Sequence, residues 1–146
     1  MLLLTDTTQA LELQTLANGI ISYVTSYVDI TTSAFTPGST QGTISIAGTV
    51  AMVPAPAAST QRQIKNIFIR NTTTGGMVVI VKKEASAVEY VILNLTLAAG
   101  EVLEYNDGTG FIVRNTSGQI KQTSTDTVGQ TGIALELLKV GTATEA

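Results

Sequence analysis

Residues 97–113, LAAGEVLEYNDGTGFIV, constrain the fold more than any other stretch of the chain. Residues 101–105 and 111–113 alternate apolar and polar side chains. A period of two is that of a half-buried strand, whose successive side chains point to opposite faces. Between the two runs lies Asn106-Asp107-Gly108-Thr109-Gly110, and Asn, Asp and Gly tolerate the positive φ that tight turns require. This connector is longer than a two-residue turn, so it predicts a looser hairpin loop with Gly108 or Gly110 in the left-handed region. The stretch points to an antiparallel β domain and carries no obvious chemistry.

Most of the preceding chain reads as further strands. Residues 5–18 alternate through Leu11, Leu13 and Leu16, which suits a strand, although Ala10, Leu13 and Leu16 also fit a helical spacing. Asn18-Gly19 marks a turn. Residues 20–32 form a long β run, with Ile21, Tyr23, Tyr27 and Asp29 on one face and Ser22, Val24, Ser26, Val28 and Ile30 on the other. Residues 33–42, around Pro37-Gly38, read as a loop of small polar residues. Residues 43–53 read as one strand with Ile44, Ile46, Val50 and Met52 on a single face and Gly48 at a bulge or close contact. Pro54-Ala55-Pro56 stops it, because proline offers no N–H to a ladder. Residues 62–71, RQIKNIFIRN, set Ile67 and Ile69 against Ile64 and Phe68, as in a central strand covered on both faces. Residues 77–83 and 88–97 form a second hairpin across Glu84-Ala85-Ser86, with Val91, Leu93, Leu95 and Leu97 expected in the core.

After Arg114 the character changes. Residues 115–131 are rich in Ser, Thr, Gln and Gly, and residues 133–138, IALELL, then bring an apolar patch. A polar spacer leading to a sticky segment is the layout of an arm that docks elsewhere. One more strand of the same sheet, reached by a long loop, is the alternative. The organisation expected is a β-sandwich domain over residues 1–114, with an arm at its first residues as an option, and a C-terminal extension or arm over residues 115–146. Ile133, Leu135, Leu137 and Leu138 are the candidate partner-binding residues.

Composition narrows the function. Apolar residues make up 44% of the chain and charged residues only 13%, against ~25% charged in ordinary soluble domains. Such a surface suits a subunit of an assembly better than a free monomer. A net charge of −3 argues against nucleic acid, whose phosphates call for a basic stripe. The chain has no Cys, no His and no Trp. Thiolate–metal sites and disulfides are thereby excluded, along with the commonest general base. Met1-Leu2-Leu3-Leu4, ended by Asp6, is too short for a signal-peptide core or a membrane span, which predicts an unsecreted protein without a membrane partner.

Individual residues favour bland readings. The 106–110 loop lacks the alternating acids and closing Glu of a calcium loop. Glu101 and Glu104 fall on opposite faces of a strand and make no acid/base couple. Lys82-Lys83-Glu84 reads as a solvated strand end that discourages edge pairing. Arg62, Lys65 and Arg70 read as side chains snorkelling over a sheet edge. Asn71, Asn94 and Asn115 each open an Asn-X-Ser/Thr triplet, with no secretory signal to bring them to glycosylation. No cofactor, metal or catalytic site is expected.

Three stretches resemble a group of small virion proteins of tailed bacteriophages. They are PAPAASTQRQIKNIFIRN (residues 54–71), LAAGEVLEY with DGTGF (residues 97–111), and MLLLTDTT with YVDIT (residues 1–8 and 27–31). The similarity spans roughly residues 1–114. It implies a small jelly-roll-like sandwich on the phage particle and brings no catalytic residues. The expectation is therefore an all-β, single antiparallel sandwich of about eight strands with extended terminal segments. Its expected role is non-enzymatic, a capsid decoration (cement) protein on the outer shell. It would be a homotrimer whose partner is the major capsid protein. A tail, baseplate or fibre subunit that binds a host receptor or glycan is the alternative.

Overall fold

The computed structural model of the chain describes residues 1–121, which carry ten strands and no helix. They are β1 (Leu2–Leu4), β2 (Gln9–Thr15), β3 (Ile21–Ile30), β4 (Phe35–Ile44), β5 (Gly48–Val53), β6 (Gln61–Asn71), β7 (Met77–Ala85), β8 (Val88–Leu97), β9 (Val102–Asn106) and β10 (Gly110–Arg114). One sheet runs β10-β9-β6-β3-β4, with β1 sharing an edge of β6 with β9; the other runs β5-β2-β7-β8. All ladders are antiparallel. The two sheets pack face to face as a β-sandwich. The pairs β3–β4, β7–β8 and β9–β10 are hairpins within a sheet, and the other connections cross between sheets.

Between the sheets lie Leu4, Leu11, Leu13, Ile21, Met52, Ile64, Ile67, Ile69, Val79, Val81, Leu97 and Leu103, all essentially inaccessible. The alternation in β2 puts Leu11, Leu13 and Thr15 inward, as a strand over this segment requires. Leu16, one residue beyond, is exposed. Met1-Leu2-Leu3-Leu4 is no arm: Leu2–Leu4 pairs with β6, and Leu4 is buried. In the organising hairpin, β9 and β10 flank a loop with Gly108 at φ 102° and Gly110 at φ 80°, so both glycines take the left-handed region.

Four sequence expectations need correction, each for a local reason. Residues 33–42 are not a loop, since β4 begins at Phe35 and pairs with β3 along its whole length. Gly38 and Gly42 hid it: they lie opposite Tyr27 and Tyr23, and a Cβ on Gly38 would fall 2.5 Å from the Tyr27 ring. Pro37 is tolerated because β4 lies at the margin of its sheet among the described residues.

Residues 43–53 are not one strand either. A turn after Ile44 carries the chain from one sheet to the other. It is tied to the neighbouring turn by Gly19 N–H to the Ser45 carbonyl (3.1 Å) and Ala47 N–H to Asn18 Oδ1 (3.0 Å). Ile46 is left 71% exposed.

Two bulges account for the remaining pair. In β6, Lys65 has no opposite residue in β3, so the pleat shifts and Ile64 faces the core together with Ile67 and Ile69. Phe68 alone takes the outer face of that apolar set. In β8, Ile92 is the extra residue opposite β7; Leu97 is buried, Leu93 and Leu95 are half-buried, and Val91 is 62% exposed rather than in the core.

The described chain continues past Arg114. Ile120 bridges back to Arg114, Lys121 N–H donates to the Val113 carbonyl (2.7 Å), and Lys121 Nζ lies 3.1 Å from the Glu101 carboxylate.

Candidate interaction surfaces

On the outer face of the larger sheet, the registers align side chains from four strands. Ser26 of β3 stands opposite Asn66 of β6, and Asn66 opposite Asn106 of β9. The Ser26 hydroxyl donates to Asn66 Oδ1 (3.0 Å), Asn66 Nδ2 to Asn106 Oδ1, and Asn106 Nδ2 to Glu104 Oε1 (2.6 Å). Arg114 of β10 closes the row through Nε to Glu104 Oε2 (2.6 Å). Arg114 and Asn106 donate to Glu104 and hold its carboxyl below the usual range. The next row sets Val24 against Phe68, both exposed, and toward the margin Phe35 lies opposite Ile30. The face thus carries a hydrogen-bonded polar row beside accessible apolar side chains.

Two charged groups read from sequence as surface cations are built into the fold. Arg62 is 8% exposed. It holds Asp29 with two donors, Nε to Oδ1 at 2.7 Å and Nη2 to Oδ2 at 2.8 Å. Its Nη1 donates to the Pro54 carbonyl (2.8 Å), and its guanidinium carbon lies 4.0 Å from the Tyr27 ring centroid. A planar fork that meets a carboxylate on two sides while stacking on an aromatic ring is the geometry that favours arginine over lysine. Donation from Arg62 lowers the Asp29 pKa, against the opposing effect of burial.

Lys82 is not a solvated strand end. Its side chain is 3% exposed, with Nζ 2.7 Å from Glu89 and 3.9 Å from Glu12. The register sets Glu12 opposite Lys82 and Glu84 opposite Glu89 across the outer face of the smaller sheet. Burial raises the Glu12 pKa, and the nearby Glu84 raises it further, while Lys82 offsets part of the effect. Lys83 instead donates to the Leu3 carbonyl (2.9 Å), fastening β1 to the smaller sheet.

Other sequence candidates are structural as well. Asn71 is fully buried. Its Nδ2 donates to the Gly75 and Leu97 carbonyls, and its Oδ1 accepts from Thr73. Glu101, 6% exposed, accepts from Ala98 N–H and pairs with Lys121. Burial opposes its charge, but the Ala98 donor and Lys121 outweigh this and leave its pKa lowered. Glu101 and Glu104 therefore belong to separate networks. Asp107 pairs with Lys65 at 3.2 Å and accepts from Gln63.

A shallow open hollow is lined by Ile30, Thr31, Thr32, Ser59 and Gln61, none of which ionises. Among the described residues, no group of three or more His, Cys, Asp or Glu is placed to hold a metal ion.

Ile133, Leu135, Leu137 and Leu138 lie outside the described residues. What the structure supplies is the place from which they are reached. Lys121 sits beside Glu101, at the pole where β6 and β8 end and β7 and β9 begin. The same pole presents Leu16, Ile20 and Ile46, each more than half exposed, on its turns. Sequence patterning missed this cluster because its members lie on turns rather than on one face of a strand. Comparisons with protein-family models, curated proteins and solved structures found no match.

Proposed function

We propose that this protein is a non-enzymatic structural subunit of a tailed-phage particle, a decoration protein that reinforces the capsid shell. In this reading it is a homotrimer on the outer surface, and its partner is the major capsid protein. The observation that carries the reading is a sandwich with a well-buried core whose described chain reaches one pole at Lys121, with residues 122–146 still to follow. Those residues contain the apolar segment 133–138. A sandwich supplies a rigid body, and an extension supplies a second attachment held at high effective concentration. Weak contacts repeated over a trimer then give firm attachment without one large interface. Low charge and the resemblance to small phage virion proteins support the same reading. The nested pairings of β3 with β6 and β2 with β7 suit a rolled, jelly-roll-like winding.

A particle map tests the proposal. Density fitting this sandwich on the outer shell of the head, repeated around three-fold positions, is the expected result.

One observation favours the alternative of a tail, baseplate or fibre subunit. Phe68 is exposed beside Asn66 and Glu104, which puts an aromatic surface next to amide and carboxylate groups that can bond sugar hydroxyls. Density on the tail, together with host-glycan binding lost in Phe68→Ala, would replace decoration with that role.

A further inference from the structure

The two margins of the sandwich are closed unequally. On one side β4 and β5 meet, and the Thr40 hydroxyl donates to the Met52 carbonyl at 2.5 Å. On the other side are β8, hydrogen-bonded along one edge only among the described residues, and β10, whose second edge is met only at its end by Ile120 and Lys121. Their core-facing side chains, Leu93 and Leu95 from β8 and Phe111 and Val113 from β10, are only partly buried. β8 is ten residues long. Beyond Glu89 and the bulge at Ile92, residues 93–97 carry no charge and no proline to blunt the edge, whereas β4 carries Pro37 and β10 is half as long as β8. The core is thus left open along a seam beside an unprotected edge.

We propose that this seam is a strand-acceptance site and that its occupant is the chain's own segment 133–138. Three features of the sequence match the site. Ile133, Leu135 and Leu137 recur at period two, so an extended backbone presents all three to one side, where they would cover Leu93 and Leu95. Ala134 and Glu136 fall on the side that faces water. The chain also leaves β10 at this margin, with Lys121 bonded to Val113. Residues 122–132 can reach about 36–40 Å when extended, enough to span β8, which measures roughly 34 Å. Backbone hydrogen bonds to the β8 edge would supply affinity, and the alternating leucines would set the register. The seam would hold the segment in the free protein, and docking of the same leucines on a capsid would be the alternative to it on the particle.

The absence of cysteine makes the test direct. Asn94 and Thr96 face outward on β8, on the side Glu136 would share. In the full chain, Asn94→Cys or Thr96→Cys is combined with Glu136→Cys and oxidised under mild conditions. A disulfide is expected in at least one pair, since opposed residues on neighbouring strands lie within bridging distance. A link within one chain or between two chains supports the site equally, the latter meaning that copies exchange the strand. Hydrogen exchange is measured alongside, and Leu135→Asp with Leu137→Asp should speed exchange of the β8 amides at least tenfold relative to those of β6. No disulfide in either pair, with β8 exchange unchanged by the leucine substitutions, overturns the proposal. Neither readout requires a capsid, so a failure here is distinct from a failure of the decoration role.

Discussion

At the scale of single residues, the pair Arg62–Asp29 has the most to lose. Asp29→Asn keeps the shape but leaves a largely buried guanidinium without its counter-charge. Breaking a buried pair costs about 3–5 kcal/mol. Asp29 is 24% exposed, so solvent screening puts the expected loss at the low end, about 3 kcal/mol in chemical denaturation. The pH dependence has a definite sign. The folded pKa of Asp29 lies below its ordinary value of 3.8, so the pair contributes fully above that value. The contribution disappears as pH falls through the lower, folded pKa. Asp29→Asn should therefore flatten the acid limb of the stability profile and leave the slope above pH 5 unchanged. A second residue-scale prediction concerns the turn between β7 and β8, where Ser86 (φ 52°) and Ala87 (φ 63°) both sit in the left-handed region. Glycine has no Cβ to strain there, so Ala87→Gly should raise stability by about 0.5–1 kcal/mol, measured as a shift in denaturation midpoint at constant slope. Loss of stability would show that the turn is held by other contacts.

At the scale of elements, the strands can be ranked by which face each residue takes. Leu103 is sealed in the core while Val91 is exposed, so Leu103→Ala should cost about 2–5 kcal/mol and Val91→Ala less than about 0.5 kcal/mol. Equal losses would mean that the β8 register is wrong. This contrast also marks what the sequence could reveal. Period-two alternation located β2, β3, β6, β7, β8 and β9, and turn chemistry located the loop before β10. Alternation fails where a bulge shifts the pleat, which is why it sets Val91 and Ile64 on the wrong faces. It also fails where a strand's inward positions are glycines that make room for tyrosine rings, as in β4. The charged pairs were illegible for a different reason. Asp29 and Arg62 are distant in sequence, and only the register of β3 against β6 brings them together. Lys82 likewise acquires its carboxylates from β2 and β8.

At the scale of the whole molecule, the proposed role divides labour between the sandwich and the residues beyond Lys121. The polar row across β3, β6, β9 and β10 satisfies its own hydrogen bonds, while the aliphatic side chains exposed at the pole have no such partners to find. On the proposed reading, attachment therefore falls to apolar contacts and to the residues beyond Lys121. Burying the side chains of Ile133, Leu135, Leu137 and Leu138 would contribute about 6–12 kcal/mol, less the cost of ordering the segment. The decisive measurement is binding of the full chain to tailed-phage heads that lack it, with and without aspartate at these four positions, alongside solution mass. The account predicts a trimer and saturable binding by the unsubstituted protein, with affinity reduced at least a hundredfold in the substituted one while the sandwich remains folded. Undiminished binding by the substituted protein, or no binding by either, would contradict it.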